Sequence, residues 1–537
     1  MNPGRNTNGV SAKARTGRRM RRRSVGLVLV LGLTIVLLVT ALTGTWLFAS
    51  ARAASGPGGG GLNSGSGEIA PLGKPKLPGN LSTFVKSKAW AIKLGKAFFW
   101  DEQVGGDGRV ACATCHFSAG VDSRTINTIN PGPNASFDEG GPDITGATNF
   151  PFVSDDIVGS QGVAPRTFNH INAGIAGDDC TGNVNGTRQV TGKNAPNMIM
   201  AIYNTQNFWD GRAVEEFVGT VRGDPLVPAI MVDDGAGLQP FGVSLKPFSN
   251  ASQEVGPPNN GVEMSCSGRD FQQLFDKLLS VTPLGQQHVA STDSVLGSIA
   301  NSGMGLNKSY TYLIQNAFQP RFWQNGEAQI ENNGPLFWGV AVALYGSTLI
   351  PDKTRFDAFA KGSWSALNAQ EQLGLEVFRG KGRCVQCHGG PEFTNASTGV
   401  GGNGREFANT GVRPVDEGCR ADGECKVPTV RNTELTGPYF HNGGYLTLRQ
   451  VVDFYDEGGD FPSEFVDSQI RPLGLTEQEK ADLVAFMLTL TDYRVKFQKK
   501  PFDHPSLNPP NGTAIPAVGA GGGAATGTFL GASPFDP

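Results

Sequence analysis

Apolar residues in this chain recur at helical rather than strand spacing. Phe271, Leu274, Phe275, Leu278 and Leu279 fall at i, i+3, i+4, i+7 and i+8, the stripe of an amphipathic helix. Asn368 with Glu371, and Thr476 with Glu479, have the spacing of capping boxes. The second pair leads into Leu483, Phe486, Met487 and Leu490 on one face. Alternating apolar and polar runs are scarce, so the pattern predicts a mainly α fold with long loops. From about Val218 to Asn260 the chain is rich in Pro and Gly and has no period. That stretch reads as an insertion folded over a helical frame.

A different pattern opens the chain. Val25 to Ala51 holds no charged residue and follows the basic cluster RRMRRR at 18–23. About twenty apolar residues suffice to cross a bilayer, and the basic flank keeps the N-terminus in the cytoplasm. Residues 1–54 therefore form a basic flank with a membrane segment. Its length suits an uncleaved anchor, and the small residues of Ala51-Arg52-Ala53 suit a signal peptide cut there. Under either reading the rest of the chain is exported, to the periplasm or the outer face of the cytoplasmic membrane.

Composition sharpens the boundaries. With 74 Gly and 34 Pro in 537 residues, the chain is unusually rich in backbone breakers. Only 39% of residues are hydrophobic and 17% charged, which excludes a polytopic membrane protein and a highly charged disordered chain. Residues 55–80 have the Gly/Ser/Pro composition of a flexible linker, and 501–537 that of a disordered tail. The net charge of −3 hides an asymmetry: residues 1–53 carry nine basic groups and no acid, leaving the remainder at −12. So acidic a body does not suit nucleic acid, whose binding rests on Lys and Arg neutralising phosphates.

Four of the eight cysteines lie in CATCH at 112–116 and CVQCH at 384–388. Two thiols three positions apart add to both vinyl groups of one haem, and the adjacent His reaches the iron. Cys112, Cys115 and His116 would hold one haem c, and Cys384, Cys387 and His388 a second. A zinc site would need four N/S ligands placed together, whereas these pairs are far apart and each brings one His. The remaining cysteines, in an exported chain, read as disulfides. Cys419 and Cys425 share a loop and pair, which leaves Cys180 with Cys266.

These motifs, with LGKAFFWDEQVGGDGRVACATCH at 94–116, NAPNMIMAIYNTQNFWDGRA at 194–213, GVEM at 261–264 and VPTVRNTELTGPYFHNGGYLTLRQVVDFY at 427–455, resemble the bacterial di-haem cytochrome c peroxidase family, including its MauG-like branch. The resemblance covers roughly residues 85–500. It implies two cytochrome c-like helical domains, each with one covalent haem: 81–350, peroxidatic and interrupted at about 218–260, and 351–500, through which electrons enter. It makes His116 and His388 the iron ligands, Trp209 the bridge between haems and Glu263 the acid above the first iron. Asn194, Thr436 and Pro438 match an interdomain Ca2+ site, whose oxygen donors suit a hard cation. His441 is placed near the second haem in a structural role.

Three positions depart from the family pattern. Tyr455 stands where peroxidases carry Met as sixth ligand of the second haem, a mark of the MauG-like branch. The loop that elsewhere supplies a displaceable His to the first iron reads VGSQGVAPRTF at 158–168, offering Ser160 and Gln161, with His170 just beyond. The Gln expected after the bridging Trp falls on Phe217, leaving that pocket one polar group short. His288 and His504 have no role and are expected to be solvated. The leading expectation is an exported di-haem peroxidase reducing hydrogen peroxide with electrons from a small cytochrome c or cupredoxin. A MauG-like oxidase acting on a substrate protein or organic molecule is the first competitor, and an electron-transfer cytochrome without peroxide chemistry the second.

Overall fold

The computed structural model describes residues 70–182, 187–223, 229–399 and 405–537, all within the unit Gly59–Pro537. The apolar run at 25–51 and the first part of the linker lie outside the described residues. Among those described, no helix is long and apolar enough to cross a membrane.

The helices are α1 (Lys88–Trp100), α2 (Cys112–His116), α3 (Ser249–Glu254), α4 (Phe271–Ser280), α5 (Tyr310–Ala317), α6 (Glu327–Asn332), α7 (Gly334–Gly346), α8 (Arg355–Ala360), α9 (Ala369–Arg379), α10 (Leu448–Glu457), α11 (Glu477–Leu488) and α12 (Tyr493–Lys496). The described strands are short and form four two-stranded antiparallel ribbons: β1 (Ile129–Asn130) with β2 (Ile157–Val158), β3 (Arg166–His170) with β4 (Asp179–Gly182), β5 (Met231–Asp233) with β6 (Leu238–Pro240), and β7 (Phe407–Ala408) with β8 (Cys425–Lys426). Both expected disulfides are present, Cys180–Cys266 and Cys419–Cys425.

Two apolar cores follow the chain. The larger gathers α1, α4, α5 and α7, with Phe98 stacked on Trp338 at 4.7 Å. It accounts for the stripe on α4, of which Phe271, Leu274, Phe275 and Leu278 are buried. The smaller gathers α8 to α11, including Phe378, Phe393 and Phe486. Each core is built on one close helix crossing that a side chain would prevent. A Cβ on Gly95 would lie 1.9 Å from the Ala341 carbonyl oxygen, so α1 and α7 touch by backbone; a Cβ on Gly374 would lie 1.9 Å from that of Asp482, doing the same for α9 and α11. Both expected capping boxes close: Glu371 N–H donates to Asn368 at 2.9 Å, and Glu479 N–H to Thr476 at 3.2 Å. Each satisfies an amide the first helical turn leaves unpaired.

Three expectations from composition are corrected. Residues 501–537 are not a disordered tail. His504 stacks on Trp100 at 4.7 Å and is buried rather than solvated, Leu507 is buried, and Phe529 packs in a third cluster with Ile129, Phe150 and Phe152. A few apolar anchors between glycines suffice when grooves already wait for them, and mean composition hides such anchors. His288 is exposed, as expected. The end of the linker is likewise docked: Leu72 is buried, its N–H donating to Asp357 at 3.0 Å. Finally, the stretch 218–260 does not simply lie over the frame. It carries the β5–β6 ribbon and ends in α3, which packs on α7, where Trp338 Nε1 donates to the Glu254 carbonyl at 2.9 Å. Six residues are too few to display a helical period.

Candidate functional site: two cavities sharing a tryptophan

Each C-x-x-C-H motif opens into its own cavity. Cys112, Cys115 and His116 stand in the wall of the first, which measures about 1250 Å³ counted to its mouth. Cys384, Cys387 and His388 stand in the wall of the second, about 1750 Å³ on the same count. All four cysteines are free thiols. Burial pushes the thiols of Cys115 and Cys384 up to about 12.

The two histidines are prepared in the same way. His116 Nδ1 lies 3.0 Å from the Gly120 carbonyl oxygen and His388 Nδ1 3.0 Å from that of Pro428. A carbonyl oxygen only accepts, so Nδ1 carries the proton and Nε2 keeps its lone pair. Burial lowers both imidazoles, His388 to about 4, so both rings are neutral, the form that binds iron. Paired free thiols, a neutral imidazole with its second nitrogen anchored, and a roomy cavity beside each make a donor set that fits one covalent haem per motif.

The first cavity holds two further carboxylates and an amide. Glu263 faces it; burial raises its pKa, opposed by the Arg212 guanidinium. Glu254 and Gln253, at the end of α3, face it too, and neither was singled out in the sequence. Burial raises Glu254 to about 7, although Asn250 Nδ2 donates to its carboxylate at 2.7 Å. Gln253 Oε1 is buried without a hydrogen-bond partner. The pocket is therefore not one polar group short. Phe217 is buried in the core, and Gln253 brings an amide from α3, near the end of the insertion, where spacing from Trp209 does not lead. The only signal was the Gln-Glu pair preceding GPPNNGVEM.

The expected loop brings Ser160 to the first cavity, whereas Gln161 turns away, its amide donating to the Ile126 carbonyl at 3.1 Å. His170 does not close the site. It is exposed on β3, with Nε2 3.4 Å from Asp179. Among the described residues, His116 is the one histidine in the wall of the first cavity.

In the second cavity Tyr455, on α10, shares the wall with His388. Burial raises its phenol, and the neighbouring thiols of Cys387 and Cys384 add to the rise. His441 is also in this wall, buried, with Nε2 3.3 Å from the Glu417 carbonyl oxygen and its ring 6.4 Å from that of Trp209. Trp209 lines both cavities, as do Asn194, Ala195 and Pro196. The three residues expected to hold Ca2+ meet, but not as an open site. The Asn194 amide donates to the Pro438 carbonyl at 3.0 Å, so that oxygen is already engaged, and Thr436 stands nearby in the second cavity. As arranged they do not present an open cation site.

Comparison with known proteins places this geometry. Residues 89–365 match the family model described as di-haem cytochrome c peroxidase, a stretch that includes CATCH and ends before CVQCH. The cytochrome-c peroxidase IdrP2 of Denitromonas iodatirespirans is 37% identical over 188 residues, 30% of this chain and 49% of that protein. The methylamine utilization protein MauG of Methylorubrum extorquens is 35% identical over 158 residues, 28% of this chain and 42% of that protein. The chain thus spans about half the length of these relatives. A crystal structure of a MauG-like protein associated with microbial copper homeostasis superposes with a TM-score of 0.45 at 18% identity, covering 80% of this chain and 96% of that one.

Proposed function

Because the chain belongs to the di-haem cytochrome c peroxidase family, we propose that it is an exported two-haem peroxidase, reducing hydrogen peroxide in the first cavity with electrons that enter through the second. One cytochrome c-like domain, 81–350, carries the first haem and the other, 351–500, the second. The observation that carries this reading is the place of Trp209, in the wall of both cavities, each with its own thiol pair and histidine. The curated relatives named cytochrome-c peroxidase support it.

Each peroxide takes up two electrons and two protons and leaves as two waters. A haem in the first cavity would supply the iron at which the O–O bond breaks and the electrons are delivered. The chain's own residues manage the protons and the geometry. Glu263 takes a proton from one peroxide oxygen and returns it to the other, work that suits a carboxylate whose pKa burial raises. The Gln253 oxygen, without a partner in the same cavity wall, accepts a hydrogen bond from the peroxide. His116, its Nδ1 anchored by the Gly120 carbonyl, is the residue that would hold the haem iron. Trp209 is held by its Nε1–H to the Asn194 carbonyl at 2.8 Å, which keeps the indole between the two cavities. The donor is a small cytochrome c or cupredoxin on the outer side of the membrane.

The test is peroxide-dependent oxidation of a reduced small cytochrome c or cupredoxin by the purified chain. Turnover supports the reading, and its absence in a protein with both haems overturns it. A second reading, MauG-like oxidation of a substrate protein or organic molecule, is favoured by Tyr455 in the second cavity. It predicts peroxide consumption without oxidation of either donor. An electron carrier is disfavoured by Glu263 and Gln253, which face a cavity where, among the described residues, His116 is the one histidine.

A further inference from the structure

Beside the first cavity lies a smaller one of about 800 Å³, counted to its mouth. The two share Phe208, Arg212, Pro257 and Glu263. A molecule in the outer cavity therefore meets the same carboxylate as one bound within. The rim is built by the start of the insertion, through Val218, Thr220, Val221 and Arg222, facing Ser252 and Asn260 across the opening.

We propose that this outer cavity is the entry and holding site for a small uncharged hydroperoxide, assembled where the start of the insertion after Trp209 meets Glu263. The proposal rests on the peroxidase reading and specifies its substrate route. Three observations carry it. The rim charges are paired: Arg222 with Glu216 at 3.1 Å, and Arg212 with Asp210 at 2.7 Å. Paired charges exert little net field on an approaching ion, so the passage favours a neutral molecule. The throat is narrowed by Arg212, whose guanidinium lies 3.6 Å over the Phe208 ring. Thr220 Oγ1 is buried without a hydrogen-bond partner. A buried hydroxyl left unpaired is costly, and a hydroperoxide, both donor and acceptor, satisfies it.

The site also accounts for the insertion, which the two haem motifs leave unexplained. It limits the substrate by size: hydrogen peroxide passes Arg212 and Phe208, and a bulky organic hydroperoxide meets them first.

The experiment uses the full chain carrying its haems and three probes: hydrogen peroxide, tert-butyl hydroperoxide and carbon monoxide. Carbon monoxide binding to the reduced protein reports access to the first iron without any peroxide chemistry. Val218→Trp fills the rim and leaves Glu263, Gln253 and Thr220 in the chain. It should slow reaction with hydrogen peroxide and association of carbon monoxide, and lower the tert-butyl hydroperoxide rate by about tenfold more, a discrimination of the size pocket shape commonly gives. Carbon monoxide affinity should hold, since entry and exit slow together. Thr220→Val should slow hydrogen peroxide and leave carbon monoxide unaffected. If Val218→Trp does not accumulate, Val221→Ala, which widens the rim, should raise the tert-butyl hydroperoxide rate. Unchanged rates for all probes in variants with full haem content would overturn the route. A parent inert to peroxide whose carbon monoxide association still responds to Val218→Trp would overturn the peroxidase reading and the identity of the occupant, leaving the passage itself.

Discussion

Trp209 and Asn194 are joined by a 2.8 Å hydrogen bond from the indole nitrogen to the backbone carbonyl, and both residues line both cavities. The other end of the tryptophan is held as well, since the Lys426 N–H donates to its carbonyl at 2.8 Å. Trp209→Phe keeps a ring in place and removes the N–H. Stability should fall by about 1 kcal/mol, the usual worth of one such bond. Haem content should hold, the first equivalent of peroxide should still react, and steady-state turnover should fall. Undiminished turnover would remove Trp209 from the electron path.

Two intact attachment motifs predict two haems per chain. Cys384→Ala should leave the first in place and weaken attachment of the second, read as a fall from two haems toward one in a pyridine haemochrome assay. A parent with one haem would contradict the two-cavity reading.

Glu263→Gln keeps the volume and removes the proton shuttle, and should slow the reaction with peroxide by about 10²–10⁴-fold with both haems bound. The parent should show a characteristic pH dependence. Glu263 must be ionised to accept the peroxide proton, and burial raises its pKa above 4.5. The rate should therefore fall as pH drops through a value above 4.5, and the Gln variant should lose that limb. An unaltered profile would assign the limb elsewhere, with Glu254, raised to about 7, next in line.

Tyr455 tests the second cavity. A phenolate ligand favours ferric over ferrous iron and a thioether does the reverse. Tyr455→Met should raise the midpoint potential of the second haem, and Tyr455→Phe should change its ferric spectrum. If neither shift appears, the residue is a packing aromatic among Phe440 and Phe454.

The walls of the first cavity predict the resting state. With Ser160 from the loop and no second histidine among the described residues, the first iron should be open in the oxidised protein. Stoichiometric peroxide should deplete the ferric absorbance at once, without reductant, and His170→Gly should change nothing. A protein inert until half-reduced would show that the loop closes.

What the sequence determined by itself is local. C-x-x-C-H fixes thiols and imidazole within one turn, so Cys112, Cys115 and His116, like Cys384, Cys387 and His388, were legible as candidate haem attachment sites without a fold. The capping boxes of α9 and α11 and the stripe on α4 were legible for the same reason, because their physics lies within a few residues. Tertiary structure decided what depends on distant segments meeting. Gln253 reaches the cavity of His116 from within an insertion that breaks any count from Trp209, whereas His170, closer to that cavity's loop in sequence, is carried outward by pairing of β3 with β4. Residues 501–537 have the composition of a tail, yet Leu507 and Phe529 find grooves built by segments more than a hundred residues earlier. Burial is a property of the assembled surface, and with it come the raised carboxyls of Glu254 and Glu263, which no spacing in the chain encodes.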